Sequence, residues 1–328
     1  MCAHPLALTL CVAIAGCSRA ASIPPGPPGP STTALATRPV RDSFTAIYSF
    51  RGGSGDGAYP NGGLTEALGV LFGTTAGGGP TGAGTIYETS TSGAESPVHI
   101  FTGDPDGDDP WPPPIKRDGA MYGTTAGGGT ANLGAVYEIG RHGGEHILYS
   151  FQGGSDGQTP IAGLMKYRGI FYGATLYGGT YSDGTVFAVT PSGKEHVLHS
   201  FGASGDGQNP YTTLFARSSL LYGTAVNGGA YGGGTVFTIT PSGTETTLYS
   251  FGGASGDGVS PRGVPVAVGG ELYATTEFGG AYGQGTIYKI TTAGQEQVLH
   301  SFGGSDAEDP TDGLYYYNRA FYGTGYQG

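Results

Sequence analysis

The densest group of chemistry-bearing residues in this sequence is Asp104-Pro105-Asp106-Gly107-Asp108-Asp109. Carboxylates at alternate positions can converge on one hard cation, as at the start of a calcium loop, so Asp104, Asp106 and Asp108 are candidate ligands for calcium. An EF-hand loop would continue with glycine at its sixth position and glutamate at its twelfth. Here Asp109 and Ile115 stand at those places, which leaves calcium in another geometry or a solvated acidic loop. The Asp-Gly pair itself recurs at Asp56, Asp106, Asp156, Asp206 and Asp257. Such a repeat suits Asx-type turns whose carboxylates satisfy loop N–H groups. It also makes Asp206 and Asp257 candidates for hydrogen bonding to a polar ligand.

A second group is aromatic. Trp111, Tyr181, Tyr231 and Tyr282 lie in Gly-rich or Pro-rich loop sequence, with Tyr59, Tyr177, Tyr211 and Phe278 near them. Flat rings among Asp, Asn and Gln side chains suit stacking on sugar rings with hydrogen bonds to hydroxyls. The structural alternative is that these rings pack over the ends of strands.

The third group is periodic. Tyr48, His99, Tyr149, His199, Tyr249 and His300 each stand two residues before a phenylalanine, and Glu95, Glu145, Glu195, Glu245 and Glu296 share another register. The histidines suggest a metal, yet residues about 100 apart in a repeat array are too far separated to share one ion, so planar side chains packed between repeats are expected. The glutamates are expected to be solvated turn residues. No G-x-S-x-G, H-E-x-x-H or P-loop sequence occurs, nor a cysteine pair for zinc, so the chain reads as non-catalytic. A formal charge of −11 and a pI near 4.9 argue against nucleic acid, whose phosphates call for a basic footprint.

Positioning these residues is the task of a unit of about 50 residues repeated along the chain. Four marks define it: an aromatic at Phe50, Phe101, Phe151, Phe201, Phe251 and Phe302; a proline followed by an apolar residue, as Pro160 with Leu164; an L-Y-G-T-T-like run with its aromatic at Phe72, Tyr122, Tyr172, Tyr222, Tyr273 and Tyr322; and a G-T-V-F-like run from Gly84, Gly134, Gly184, Gly234 and Gly285. Each mark is a short β-branched or aromatic run bounded by Gly, Pro, Ser or Asp, and therefore a strand. Four short antiparallel strands per repeat specify an all-β fold, a β-propeller of six blades over residues 43–328, with a seven-bladed ring or an open array as alternatives. The sixth copy stops before its Gly-Gly loop and G-T-V-F strand, so an incomplete last blade, or a truncated chain, is expected. A rim strand from Thr45 to Phe50 would then close the ring.

The combination S-F-x-G-x-x-D-G, P-x-x-G-L, L-Y-G-T-T-x-x-G-G and G-T-V-F-x-I-T-P-S-G closely resembles the GloVer tandem repeat of bacterial surface proteins, often called choice-of-anchor proteins. The resemblance runs from Thr45 to the C-terminus. It implies an extracytoplasmic, propeller-like domain and brings no catalytic residues with it. By analogy with other six-bladed repeats, P-x-x-G-L opens the innermost strand. Meander parity then puts the Asp-Gly and Gly-Gly loops on one face, and the basic turns with Lys116, Arg141 and Lys166 on the other.

Before the repeats, Leu6 to Gly16 is an apolar run placed like a signal peptide and too short to span a bilayer comfortably. Residues 1–16 are expected to be that signal. Ile14-Ala15-Gly16-Cys17 resembles a lipobox, with Cys17 the lipidated residue, although Met1 to Pro5 lacks the usual Lys or Arg. Residues 17–42, rich in Pro, Gly and Ser, form an extended linker. All three cysteines, Cys2, Cys11 and Cys17, precede the repeats. Together these features describe an extracytoplasmic binding module, anchored to the bacterial outer membrane or cell surface through lipid alone, for a polysaccharide or a cell-surface protein. The alternatives are a carbohydrate-active enzyme using two carboxylates of the acidic face and a structural envelope protein.

Overall fold

In a computed structural model, residues 46–141, 143–304 and 308–326 are described. The expected signal peptide over residues 1–16, the expected linker over 17–42 and Cys17 lie outside them. The secondary structure is all β, with no helix among the described residues. Five consecutive antiparallel meanders follow the repeat. The third is typical: Met165–Tyr167, Ile170–Thr175, Thr185–Val189 and Glu195–Ser200, in that spatial order. A sixth sheet holds the two strands Tyr315–Tyr317 and Ala320–Tyr322. The described part of the last copy is thus a single hairpin.

The radial order follows from which segments meet. The Ala162 carbonyl accepts from Thr124 Oγ1 of the preceding sheet at 3.1 Å, and Gly163 N donates to Thr213 Oγ1 of the following one at 2.9 Å. The P-x-x-G-L segments of neighbouring sheets therefore converge, as the innermost elements of propeller blades must. Between blades the packing is aromatic and repeats unchanged. Phe101 meets Tyr137, Phe151 meets Phe187, Phe201 meets Phe237 and Phe251 meets Tyr288, all with centroids near 5 Å. Edge-on contacts of this kind suit the ring quadrupoles. Phe50 makes the same contact with Tyr87 at 4.8 Å. Residues 46–50 thus sit where a preceding blade would place its last strand, though they form no ladder of their own.

Loop parity is also visible. Short two-residue ladders join Gly107-Asp108 to Gly127-Gly128, Gly157-Gln158 to Tyr177-Gly178, and Gly258-Val259 to Phe278-Gly279. The Asp-Gly and Gly-Gly loops do share a face, and hydrogen bonds hold them together. At the other end of the second sheet, Arg141 Nη2 donates to the Asp118 carbonyl at 2.9 Å, joining two of the turns assigned to the other face.

The two end sheets are covered unequally. Leu64 of the first is 50 % exposed where its equivalent Leu164 is 2 % exposed, and Tyr315 of the sixth is 68 % exposed.

Candidate functional site

Residues at three levels of the repeat converge where one blade meets the next. The fourth strand of every complete blade carries a bulge, seen between Val186 and Phe187 of its partner strand in the third blade. A bulge re-aims the residues that follow it. Those residues are the His and Tyr of the periodic register, each stacked edge-on against the phenylalanine two positions later, as His199 on Phe201 at 4.7 Å. The Asp of the following Asp-Gly loop folds back toward the same point, and the Glu that opens the fourth strand of the next blade reaches it from the other side.

Two versions of this arrangement alternate. In one, tyrosine closes it: Tyr149 OH donates to Asp156 Oδ2 at 2.9 Å and Tyr249 OH to Asp257 Oδ2 at 3.1 Å. In the other, histidine takes the place of tyrosine. His199 Nε2 lies 2.9 Å from Asp206 Oδ2, whereas His99 Nε2 is 3.8 Å from Asp106 Oδ1, beyond hydrogen-bond reach. Ligand atoms of His99, Asp106 and Glu145 all lie within 4.8 Å of one another, as do those of His199, Asp206 and Glu245. Buried His99 Nε2 and Glu145 Oε1 have no hydrogen-bond partner.

The glutamates are consequently not the solvated turn residues expected from sequence. Burial, followed by the neighbouring Asp106, pushes the Glu145 carboxyl up to about 8. Glu195, Glu245 and Glu296 rise to about 7, again through burial first and then through the facing Asp156, Asp206 and Asp257. Each holds its proton more tightly because two adjacent carboxylates cannot both ionise cheaply in a half-buried place. Burial works in the same direction on Asp106, but the His99 and Glu145 side chains and the Gly107 and Thr102 donors outweigh it, holding that carboxyl below the usual range.

The triplet Asp104, Asp106 and Asp108 does not come together. Neither group of three that meets within 4.8 Å among the described residues is that one. Asp104 is exposed, and Asp106 turns back to accept from Thr102 N at 2.8 Å and Gly107 N at 2.7 Å. Its loop-capping hydrogen bonds draw it out of the acidic run and toward His99. The other Asp-Gly residues cap their loops in the same way. Asp257, 7 % exposed, accepts from Gly252, Gly253 and Gly258 N as well as from Tyr249. Asp206 accepts from Gly207 N at 2.7 Å in addition to its histidine contact.

The aromatic candidates are spread one to a blade. Tyr181, Tyr231 and Tyr282 are 52 %, 65 % and 71 % exposed, with the last two laid over Gly253 and Gly303 of their own blades. Trp111 is half-buried, its Nε1 donating to Asp109 Oδ2 at 2.9 Å. An open depression of about 660 Å³ is lined by Tyr282, Leu299, His300 and Ser301 with Ala281, Gly303 and Gly304. No carboxylate lines it among the described residues.

Blade-like meanders packed face to face through repeated aromatic contacts define a β-propeller. The sequence pattern of the Gloeobacter/Verrucomicrobia repeat matches residues 31–214 and 112–328, and the chain belongs to that family. Among solved structures, virginiamycin B lyase from Staphylococcus aureus is similar over 77 % of this chain and 73 % of its own, with 16 % identity and a TM-score of 0.52. A gluconolactonase from Xanthomonas campestris aligns over 81 % of each chain at 14 % identity and a TM-score of 0.49. The first of these likenesses speaks for the fold. A search of curated proteins finds no match.

Proposed function

We propose that this protein is an extracytoplasmic binding module, held at the bacterial cell surface by a lipid on Cys17, that takes a polysaccharide on its Asp-Gly/Gly-Gly loop face. The observation that carries the proposal is Tyr282, 71 % exposed at the edge of the depression it shares with His300 and Ser301. A large ring kept in water beside hydroxyl and imidazole groups offers an apolar platform with polar edges, the composition of a sugar-stacking site. Tyr181 and Tyr231 hold the corresponding exposed position in earlier blades. The aspartates of the blade junctions are engaged with His, Tyr or loop N–H groups, and no carboxylate stands among the described residues lining the depression beside Tyr282.

Isothermal titration against a panel of bacterial and plant polysaccharides tests this. Binding that weakens about tenfold in Tyr282→Ala, with the melting temperature unchanged, supports it, since an exposed aromatic platform contributes on the order of 1–1.5 kcal/mol. No binding to any of the panel, or equal binding by the Tyr181/Tyr231/Tyr282 triple alanine variant, rejects it. Lipidation is tested separately: Cys17→Ser should release the protein from the membrane fraction.

A further inference from the structure

We propose that His99/Asp106/Glu145 and His199/Asp206/Glu245 are two sites for a divalent transition-metal ion of the zinc class, each ion tying one blade to the next. The donor set points to the metal. One imidazole nitrogen with two carboxylate oxygens is a zinc-like set, whereas calcium and magnesium seek oxygen alone. The ligand atoms of each cluster already lie within 4.8 Å of one another. Zinc bonds of about 2.0–2.2 Å require them to close to roughly 3.5 Å, which side-chain rotation can supply. Three protein ligands leave a fourth position for water.

The first site carries a second, independent sign. His99 Nε2 and Glu145 Oε1 are buried, are ligand-type atoms, and have no hydrogen-bond partner. Glu195 Oε1 and Glu296 Oε1 are orphaned in the same way at the tyrosine junctions, so the distinguishing sign is His99 Nε2, a buried ligand atom that calls for a partner because buried polar atoms are nearly always paired. At the second site the His199–Asp206 contact of 2.9 Å is one an ion would replace, and Asp206 is held in place by Gly207 N. Such outer hydrogen bonds orient the ligands of metal sites.

The tyrosine junctions act as an internal control. Where Tyr149 and Tyr249 stand in the histidine register, the phenol itself donates to the Asp and no ligating nitrogen is present. The alternation of His and Tyr along the repeat then separates junctions closed by an ion from junctions closed by a proton. His300 continues the histidine register, and the corresponding Asp306 lies outside the described residues.

The test uses tag-free protein stripped with chelator and dialysed. Zn2+, Mn2+, Ca2+ and Mg2+ are each added, and bound metal is counted by elemental analysis alongside melting curves. Zn2+ should bind and raise the melting temperature, because a ligand of the native state alone stabilises it. His99→Tyr and His199→Tyr should each remove one equivalent of Zn2+ and the double variant two, with the far-UV spectrum retained. Should a tyrosine variant fail to fold, Glu145→Gln and Glu245→Gln decide the question, since each keeps the side-chain volume and removes a charged ligand. Unchanged stoichiometry in the double variant, no Zn2+ retained by the parent protein, or stabilisation by Ca2+ but not Zn2+ would overturn the assignment.

Discussion

Gly184, at a φ of +97°, faces the ring of Pro210 in the next blade so closely that a Cβ would strike both Pro210 Cδ and the Thr175 carbonyl. Gly134 with Pro160, Gly234 with Pro261 and Gly285 with Pro310 repeat the contact. Two marks of the repeat that lie about 26 residues apart in sequence are thus the two sides of one junction. Gly184→Ala should destabilise the protein by on the order of 1–3 kcal/mol through backbone strain, with the clash adding to it. Urea unfolding measures the change, and an effect below 0.5 kcal/mol, roughly that of an ordinary surface change, would show that the junction yields freely.

A second prediction concerns a buried hydroxyl. Thr75 bonds to Thr85, Thr175 to Thr185 and Thr276 to Thr286 through their Oγ1 atoms at 2.8–2.9 Å. In the fourth blade Ala225 replaces the first threonine, and Thr235 Oγ1 is left buried without a partner. Ala225→Thr should raise stability by about 0.5–1.5 kcal/mol, the net value of one hydrogen bond. The same substitution made in Thr235→Val should give no such gain.

Asp257 separates a structural from a binding role. Its carboxylate serves three backbone N–H groups and one phenol, so Asp257→Ala should cost about 1–3 kcal/mol through the donors left unpaired. Chemical denaturation is the measurement. Weaker ligand binding with unaltered stability would instead assign Asp257 to the ligand.

The pH dependence comes from Glu195 and Glu296, which face Asp156 with Tyr149 and Asp257 with Tyr249. Burial and then those aspartates raise both glutamates to about 7 in the folded protein, above their ordinary 4.5. Between these values the unfolded chain has lost the proton while the folded one keeps it, so stability falls as pH rises from about 4.5 to about 7 and then levels off. Melting in chelator at pH 5 and pH 8 should show the lower temperature at pH 8. The Glu195→Gln/Glu296→Gln variant should narrow the gap; an equal gap would mean that other groups dominate.

The repeat made the meander and the shared loop face legible, because Gly and Pro punctuate strands by their own backbone limits. The junction clusters were not. Glu145 lies 39 residues beyond Asp106 in sequence, and a register of glutamates looks the same whether it faces water or the neighbouring blade. The bulge before His199 adds one residue to one strand and leaves no trace in a period-two pattern. The spacing of the Asp-Gly turns did announce their capping role, which places Asp206 and Asp257 first in loop architecture. Asp104, Asp106 and Asp108 alternate in sequence without meeting in space, because spacing shows neighbours and not the direction in which each side chain is drawn.

Leu64 and Tyr315, left open on the two end sheets, give the array a direction of weakness. Each inner blade packs against a neighbour on both sides, whereas Leu64 of the first sheet and Tyr315 of the sixth stay 50 % and 68 % exposed. Amide exchange should therefore run as a gradient, fastest in Tyr315–Tyr322 and slowest in the third blade, as expected where cohesion is passed only between nearest neighbours. Under tension or heat such a molecule would come apart like a stack of plates from its ends, with the middle blades the last to let go.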